Sequence, residues 1–277
     1  EAKEWLEHRG FKTTLEYLTH VCELVLSETK MLPHANPGTM ARREIAALQP
    51  FNPSMGLMLE STSEALYAVG GPHEFAPSKR PRVRLRTLEL AGQLRVPFTT
   101  GILIGIGETR RDRIESLVAI ADLKAQHGHV QEVIIQNFRA KPLTAMGDAP
   151  DAETEELLWT VAVARLILGP NANIQVPPNL SAKDYHIYLD AGINDWGGVS
   201  PLTIDFVNPE APWPALTDLK NKTEAAGFEL RPRLPVYPEY FLNTKDFLPD
   251  ALQQKVSALA DSEGYVQGGM QRYASKF

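Results

Sequence analysis

The stretch Val96-Pro-Phe-Thr-Thr-Gly-Ile-Leu-Ile-Gly-Ile-Gly-Glu-Thr109 is an apolar run broken by three glycines and closed by an acid. Pro97 marks a strand entrance. The almost unbroken apolar character of residues 98–106 suits a strand covered on both faces, as in a parallel sheet. Gly101, Gly105 and Gly107 leave the backbone bare where the strand ends, which permits an unusual turn or the close approach of a ligand. Glu108 and Thr109 fall where a helix over 110–126 begins, a place where acids and hydroxyls cap well. Gly-x-Gly at a strand end is a weak signal by itself, and this spacing is not a dinucleotide fingerprint.

Outward from this stretch, apolar strands and helical patterns alternate. Helices are expected over 1–9, 13–30, 41–48, 83–94, 110–126, 153–168 and 182–190. Strands are expected in 31–38 and over 56–61, 98–106, 130–136 and 173–176, with a closing segment at 193–198. Such alternation predicts βα units, right-handed crossovers and a parallel sheet, and the number of repeats favours a barrel over an open sheet. After residue 214 the pattern changes to a helix over 215–226, an extended proline-rich return over 230–236 and a helix over 248–260. The expected organisation is therefore a barrel over 1–214 and a helical and extended extension over 215–277.

Composition narrows the function. The 277 residues are 43% hydrophobic and 22% charged, with a net charge of −6. A general nucleic-acid binder or an anionic-membrane binder needs a basic face, so a small-molecule ligand is the better expectation, with neither nucleic acid nor membrane as partner. With no apolar run of bilayer length and no signal peptide, a cytoplasmic protein is expected, or an organellar one if the source is eukaryotic. The one cysteine, Cys22, falls in the apolar stripe of the second helix and reads as a small core residue. Alone, it makes neither an internal disulfide nor an all-cysteine metal site.

The polar residues gather where strands end. His34, Asn36, Glu60, Ser61, Glu108, Gln136, Asn137, Lys141, Asn179, Asp195 and Ser200 are all expected at or just beyond carboxyl ends, which share one face in a parallel barrel. Barrel enzymes place their active sites on that face. Each residue also has a plain reading as a turn residue, a cap or a solvated loop lysine. Their coincidence at one rim is what argues for a site.

Gly101-Ile-Leu-Ile-Gly105-Ile-Gly-Glu108 resembles the G-x-I-x-G-x-x-E strand motif of radical S-adenosylmethionine (SAM) enzymes, with Leu103 in the isoleucine slot. Longer matches surround it: Leu32-Pro-His-Ala-Asn-Pro-Gly38, Leu57-Met-Leu-Glu-Ser61, Pro97-Phe-Thr-Thr-Gly101 and Val133-Ile-Ile-Gln-Asn-Phe-Arg-Ala-Lys141. Pro177-Pro-Asn-Leu180, Asp195-Trp-Gly-Gly-Val-Ser-Pro201 and Val207-Asn-Pro-Glu-Ala-Pro-Trp-Pro214 complete the set. Together, over residues 10–240, they are similar to the deazariboflavin (FO) synthases, and to the subunit or half that closes the deazaflavin ring.

The resemblance implies an α/β fold, an incomplete TIM-type barrel of the radical SAM superfamily. It implies a lyase in deazaflavin coenzyme biosynthesis. A reduced [4Fe-4S] cluster cleaves SAM to a 5′-deoxyadenosyl radical, and an adduct of hydroxybenzyl and ribityl-amino-uracil is cyclised with loss of ammonia. A primary radical needs a dry site that holds the reacting hydrogen close, which a barrel mouth lined by fixed polar groups supplies. It assigns Glu60, Ser61, Arg84, Gly101, Gly105 and Glu108 to SAM, and His34, Gln136, Asn137, Asn179, Asp195 and Trp196 to the substrate. No catalytic residue is assigned. The implied partners are a second, hydroxybenzyl-transferring subunit or half and a reductant protein.

One departure is severe. The C-x-x-x-C-x-x-C cluster motif of these enzymes is absent, as are the first strand, its loop and the glycine-rich segment after the second strand. The chain is thus expected to be the C-terminal three quarters of a barrel, missing its first βα units and unable by itself to hold the cluster. Two other readings stay open: a cluster-independent lyase using Lys141 as a Schiff-base amine, and a non-catalytic remnant that binds substrate or a partner half.

Overall fold

Five strands form one sheet in the order β1-β2-β3-β4-β5, each parallel to its neighbour, in a computed structural model that describes residues 2–200, 202–242 and 244–270. Pro201, the last residue of the motif that starts at Asp195, lies outside the described residues, as does the tail of the extension. The strands are β1 (His34–Ala35), β2 (Ser54–Gly56), β3 (Phe98–Ile104), β4 (Val130–Asn137) and β5 (Ile174–Gln175). Between them run α3 (Arg42–Leu48), α4 (Pro81–Gln93), α5 (Arg110–His127) and α6 (Thr154–Leu168), preceded by α1 (Ala2–His8) and α2 (Thr14–Glu28). Strand order equal to chain order, with a helix in every crossover, is the arrangement of a partial parallel barrel.

Sequence chemistry explains the best-formed part. Phe98, Ile102 and Ile104 alternate on one face of β3 and pack, fully buried, against Leu88 of α4 and Leu117 of α5. Each such side chain contributes roughly 1.5–3 kcal/mol of burial. The opposite face of β3 and β4 carries Thr99, Glu132 and Ile134, which line a cavity. Thr109 starts α5 with a reciprocal cap: its hydroxyl accepts from the Asp112 N–H, and the Asp112 carboxylate accepts from the Thr109 N–H. Gly128, left-handed at φ 68°, ends the helix.

Two elements differ from expectation. The strand expected over 56–61 is three residues long and ends at Gly56, followed by an irregular stretch with one bridge, Glu60 to Ile102. Glu60 has φ 66°, which turns the chain out of the pleat. The helix expected over 182–190 is a 3-10 segment, Pro178–Asp184, followed by the short α7 (Ile187–Ala191). The Pro177-Pro178 pair fixes a tight entry there, and Gly192 closes the last turn in the left-handed region.

Beyond residue 214 come α8 (Leu216–Ala225) and α9 (Asp250–Ser257). Leu234, Val236, Tyr240, Leu252 and Val256 form a second apolar cluster that takes in Leu26 of α2. Residues 233–237 run beneath the amino ends of the strands. Pro235 O accepts from Gln131 Nε2 of β4 at 3.2 Å and from Ser54 Oγ of β2, while the Tyr237 N–H donates to Gln131 Oε1. The extension thereby floors the sheet's interior. Among the described residues no helix is long and apolar enough to cross a membrane.

Candidate functional site

Inside the sheet lies a cavity of about 970 Å3, walled by Thr99, Glu132, Gln175, Asp195 and Trp196 and floored by Arg233. Strand register sets the height of each wall residue. Gln175 pairs with Ile134 and bridges to Asp195, so Asp195 stands level with mid-strand, three residues short of the end of β4 at Asn137. His34 pairs with Ser54, the first residue of β2, and its Nδ1–H donates at 2.7 Å to the Ser54 hydroxyl, whose own hydrogen goes to Pro235 O. Asp195 and His34 are therefore not on the rim with the others. Both line the cavity, a placement the sequence could not show because strands of two residues carry too little pattern to reveal register.

Asp195 meets Arg233 twice, at 2.5 Å (Nε to Oδ2) and 3.2 Å (Nη2 to Oδ1), and accepts from Tyr237 Oη at 2.7 Å. Arg233 also donates to Glu132 Oε1 at 2.7 Å, and Thr99 Oγ1 donates to Glu132 Oε2 at 3.1 Å. Burial pushes the Glu132 carboxyl up to about 7, against the pull of Arg233 and with the push of Asp195. The protein around it, and next the Arg233 charge, lower the His34 imidazole to about 4, a lowering moderated by the exposure of this residue to the open cavity. Trp196 lines the same cavity, but its Nε1 donates to Thr223 Oγ1 at 3.1 Å and its ring stands edge-on to Tyr185.

At the carboxyl ends the structure brings two groups of the expected residues together. In the first, Glu60 receives three cationic or potentially cationic partners: Lys79 at 2.9 Å, Arg84 at 3.2 Å and His73 at 3.2 Å. These hydrogen bonds and charges outweigh its burial and hold its carboxyl at about 2. Arg84 is buried, its guanidinium also donating to Ser78 O and Met58 O, and Ser61 Oγ accepts from the Ser63 N–H. In the second, Asn137 Nδ2 donates to Leu180 O, and Asn179 Nδ2 donates to Asp205 and to Ala211 O. The amide oxygens Asn137 Oδ1 and Asn179 Oδ1 are buried without a partner. Two such acceptors beside the rim suit a ligand that brings N–H or O–H groups. Gln136, half-buried, follows Ile134 on the interior face of β4.

The glycine stretch is filled from within. A Cβ at Gly101 would overlap the Ile134 carbonyl oxygen of β4, and one at Gly105 would meet Ala152 at 2.6 Å. Glu108 accepts from the N–H groups of Gly105 (2.8 Å) and Ile106 (2.9 Å) and pairs with Arg113 at 2.8 Å. The bare backbone of the motif thus serves strand approach and a carboxylate-capped turn. Lys141, the amine of the Schiff-base reading, pairs with Glu210 and donates to Asn208 at 2.7 Å; with 29% of its side chain exposed, it lacks the desolvation that chemistry needs.

The residues fit the two implied cofactors differently. Lys79 and Arg84 around one carboxylate leave a net positive charge, which fits the carboxylate of an amino-acid ligand such as SAM. Cys22 is buried in α2, its thiol raised by burial, and among the described residues no three His, Cys, Asp or Glu side chains gather to hold a metal. The described residues thus offer one buried thiol and no group of cluster ligands. Sequence reasoning missed Glu132, Arg233, Tyr237, His73 and Lys79. Only Glu132 left a trace, as an acid inside a buried strand.

No family model matches the chain. It is 52% identical over 267 residues to the 7,8-didemethyl-8-hydroxy-5-deazariboflavin synthase of Methanopyrus kandleri, covering 96% of this chain and 79% of that protein. It is 53% identical over 264 residues to the FO synthase of Streptomyces coelicolor, covering 95% of this chain but 30% of the relative's length. Among solved structures, methylornithine synthase (PylB) aligns with a TM-score of 0.60 at 17% identity, over 82% of this chain and 65% of the other, a likeness of fold alone. The five-stranded parallel sheet accordingly fits a partial TIM-type barrel. On sequence, the chain belongs to the FO synthase family.

Proposed function

We propose that the chain forms the substrate-holding part of the ring-closing component of an FO synthase. The observation that carries this is the 52% identity, spread over 96% of the chain, to the Methanopyrus protein. On this reading the ligand is 5-amino-5-(4-hydroxybenzyl)-6-(D-ribitylimino)-5,6-dihydrouracil. Gln136, Asn137 and Asn179 meet its uracil edge and hydroxyls at the rim, with His34, Asp195 and Trp196 deeper in the cavity. The carboxylate of SAM lies at the positive group of Lys79 and Arg84, beside Glu60 and Ser61. Radical generation needs a cluster for which the described residues offer no group of ligands, so their own part is to bind, orient and keep water from the ligand. The whole synthase would add the hydroxybenzyl-transferring half and a reductant protein.

Isothermal titration of the chain with that adduct tests the reading. Binding is expected, weakened about tenfold or more by N137A together with N179A, since each deletion costs on the order of 1 kcal/mol. An adduct that does not bind, or binds the double variant equally well, would overturn it.

A further inference from the structure

The cavity wall holds two carboxylates whose neighbours supply too few protons for the contacts observed. Glu132 faces the cavity beside Asp195, Arg233 and Tyr237, all of which line it. The Tyr237 hydroxyl oxygen is 3.1 Å from Glu132 Oε1 and 2.7 Å from Asp195 Oδ2. A phenol has one hydrogen and donates to one of them. The shorter contact marks the charge-assisted bond, to Asp195. Glu132 Oε1 and the phenol oxygen would then be two acceptors face to face, unless a hydrogen on Glu132 lies between them.

Charge bookkeeping gives the same answer. One guanidinium, Arg233, serves both carboxylates. The remaining groups around Glu132 add no charge: Thr99 Oγ1 donates to its other oxygen, Gln131 Nε2 donates to Thr99 Oγ1, and His34 is neutral. A second full negative charge at Glu132, itself 5% exposed, would go uncompensated. Burial and the Asp195 charge push the Glu132 carboxyl up in the same sense.

We propose that Glu132 keeps its proton at neutral pH, donating it to Tyr237 Oη, and that this Glu132–Tyr237–Asp195 chain is the proton donor to a basic amine nitrogen of the ligand in the cavity. In the transfer the Glu132 O–H bond breaks and an N–H bond forms. An ammonium then faces a carboxylate whose charge Arg233 meets. Arg233 is a positioning residue, reaching in from the extension to hold both carboxylates at one phenol. The donor role rests on the proposed function, in that the adduct bears the amine that leaves as ammonia. The held proton is a property of the chain alone.

Carboxyl NMR of the chain labelled with 13C-glutamate tests it without any ligand. One glutamate signal is expected to titrate near neutrality, to be missing from E132Q, and to move its midpoint down by about one pH unit or more in D195N, where the like charge is gone. The proposal is overturned if every glutamate titrates below about pH 6, if the near-neutral signal survives E132Q, or if D195N leaves its midpoint in place. Should E132Q fail to fold, the wild-type and D195N titrations decide. Adding the adduct separates the two proposals. Binding that leaves the Glu132 signal unchanged overturns the donor role, whereas absence of binding counts against the synthase reading and leaves the proton standing.

Discussion

Arg233, on the extension, grips Asp195 from two nitrogens while its Nη2 also holds Glu132, 101 residues away in the chain. Replacing it by methionine keeps the stem's bulk but strands the Asp195 carboxylate and strips the Glu132 carboxyl of its guanidinium partner. R233M is expected to lose roughly 3–5 kcal/mol. Urea unfolding at pH 7.5 reads the loss, and an unchanged midpoint would contradict this account.

Glu108 sits at the turn after β3, with 1% of its side chain exposed, accepting two backbone N–H groups and pairing with Arg113. E108A leaves two unmet N–H groups and takes from Arg113 one of its two carboxylate partners, Glu156 remaining at 2.5 Å, and is expected to cost roughly 1–3 kcal/mol. E108Q keeps one acceptor oxygen and should lose less. Chemical denaturation ranks the two.

Gly101 has no room for a methyl group, because the Ile134 carbonyl occupies that space. G101A must push β3 from β4 along the longest strand pairing in the sheet. We expect insoluble or strongly destabilised protein from G101A. A G70A control, at a loop glycine with open space around it, should be soluble, its left-handed φ costing little more than about 1 kcal/mol.

His129 is fully buried beside Phe98 and His127, and burial first, then His127, lowers its imidazole from 6.5 to about 4. Between those values the unfolded chain takes up a proton that the folded chain refuses. This residue's contribution is therefore complete above pH 6.5 and falls by about 1.4 kcal/mol per pH unit down to pH 4. Glu132, whose folded value is raised, works the other way over 4.5 to 7. H129F should flatten the acid side of the wild-type stability profile by that slope. Denaturation midpoints at pH 7, 6 and 5 measure it.

The strands and helices around β3 were readable because long buried strands and capped helices write themselves into local pattern: the apolar run from Phe98, the Thr109-Asp112 cap, Gly128. Asn137 could be placed at the end of β4 for the same reason, whereas Glu60 lies four residues past the end of β2, tied to β3 by one bridge. Register could not be read in β1 and β5, so His34 and Asp195 were expected too high. Arg233 and Tyr237 carry no local sign of their role, since what defines it is a partner more than a hundred residues distant. Lys79 and His73 were hidden in a loop whose glycines and prolines advertise only that it turns.

The floor beneath the strands also orders events during synthesis. Glu132 leaves the ribosome some hundred residues ahead of Arg233, so the nascent sheet emerges with an acidic, unsealed interior. Contacts this far apart in sequence close late. The cavity is completed only once the segment beyond residue 214, which carries Arg233 and Tyr237, has been translated.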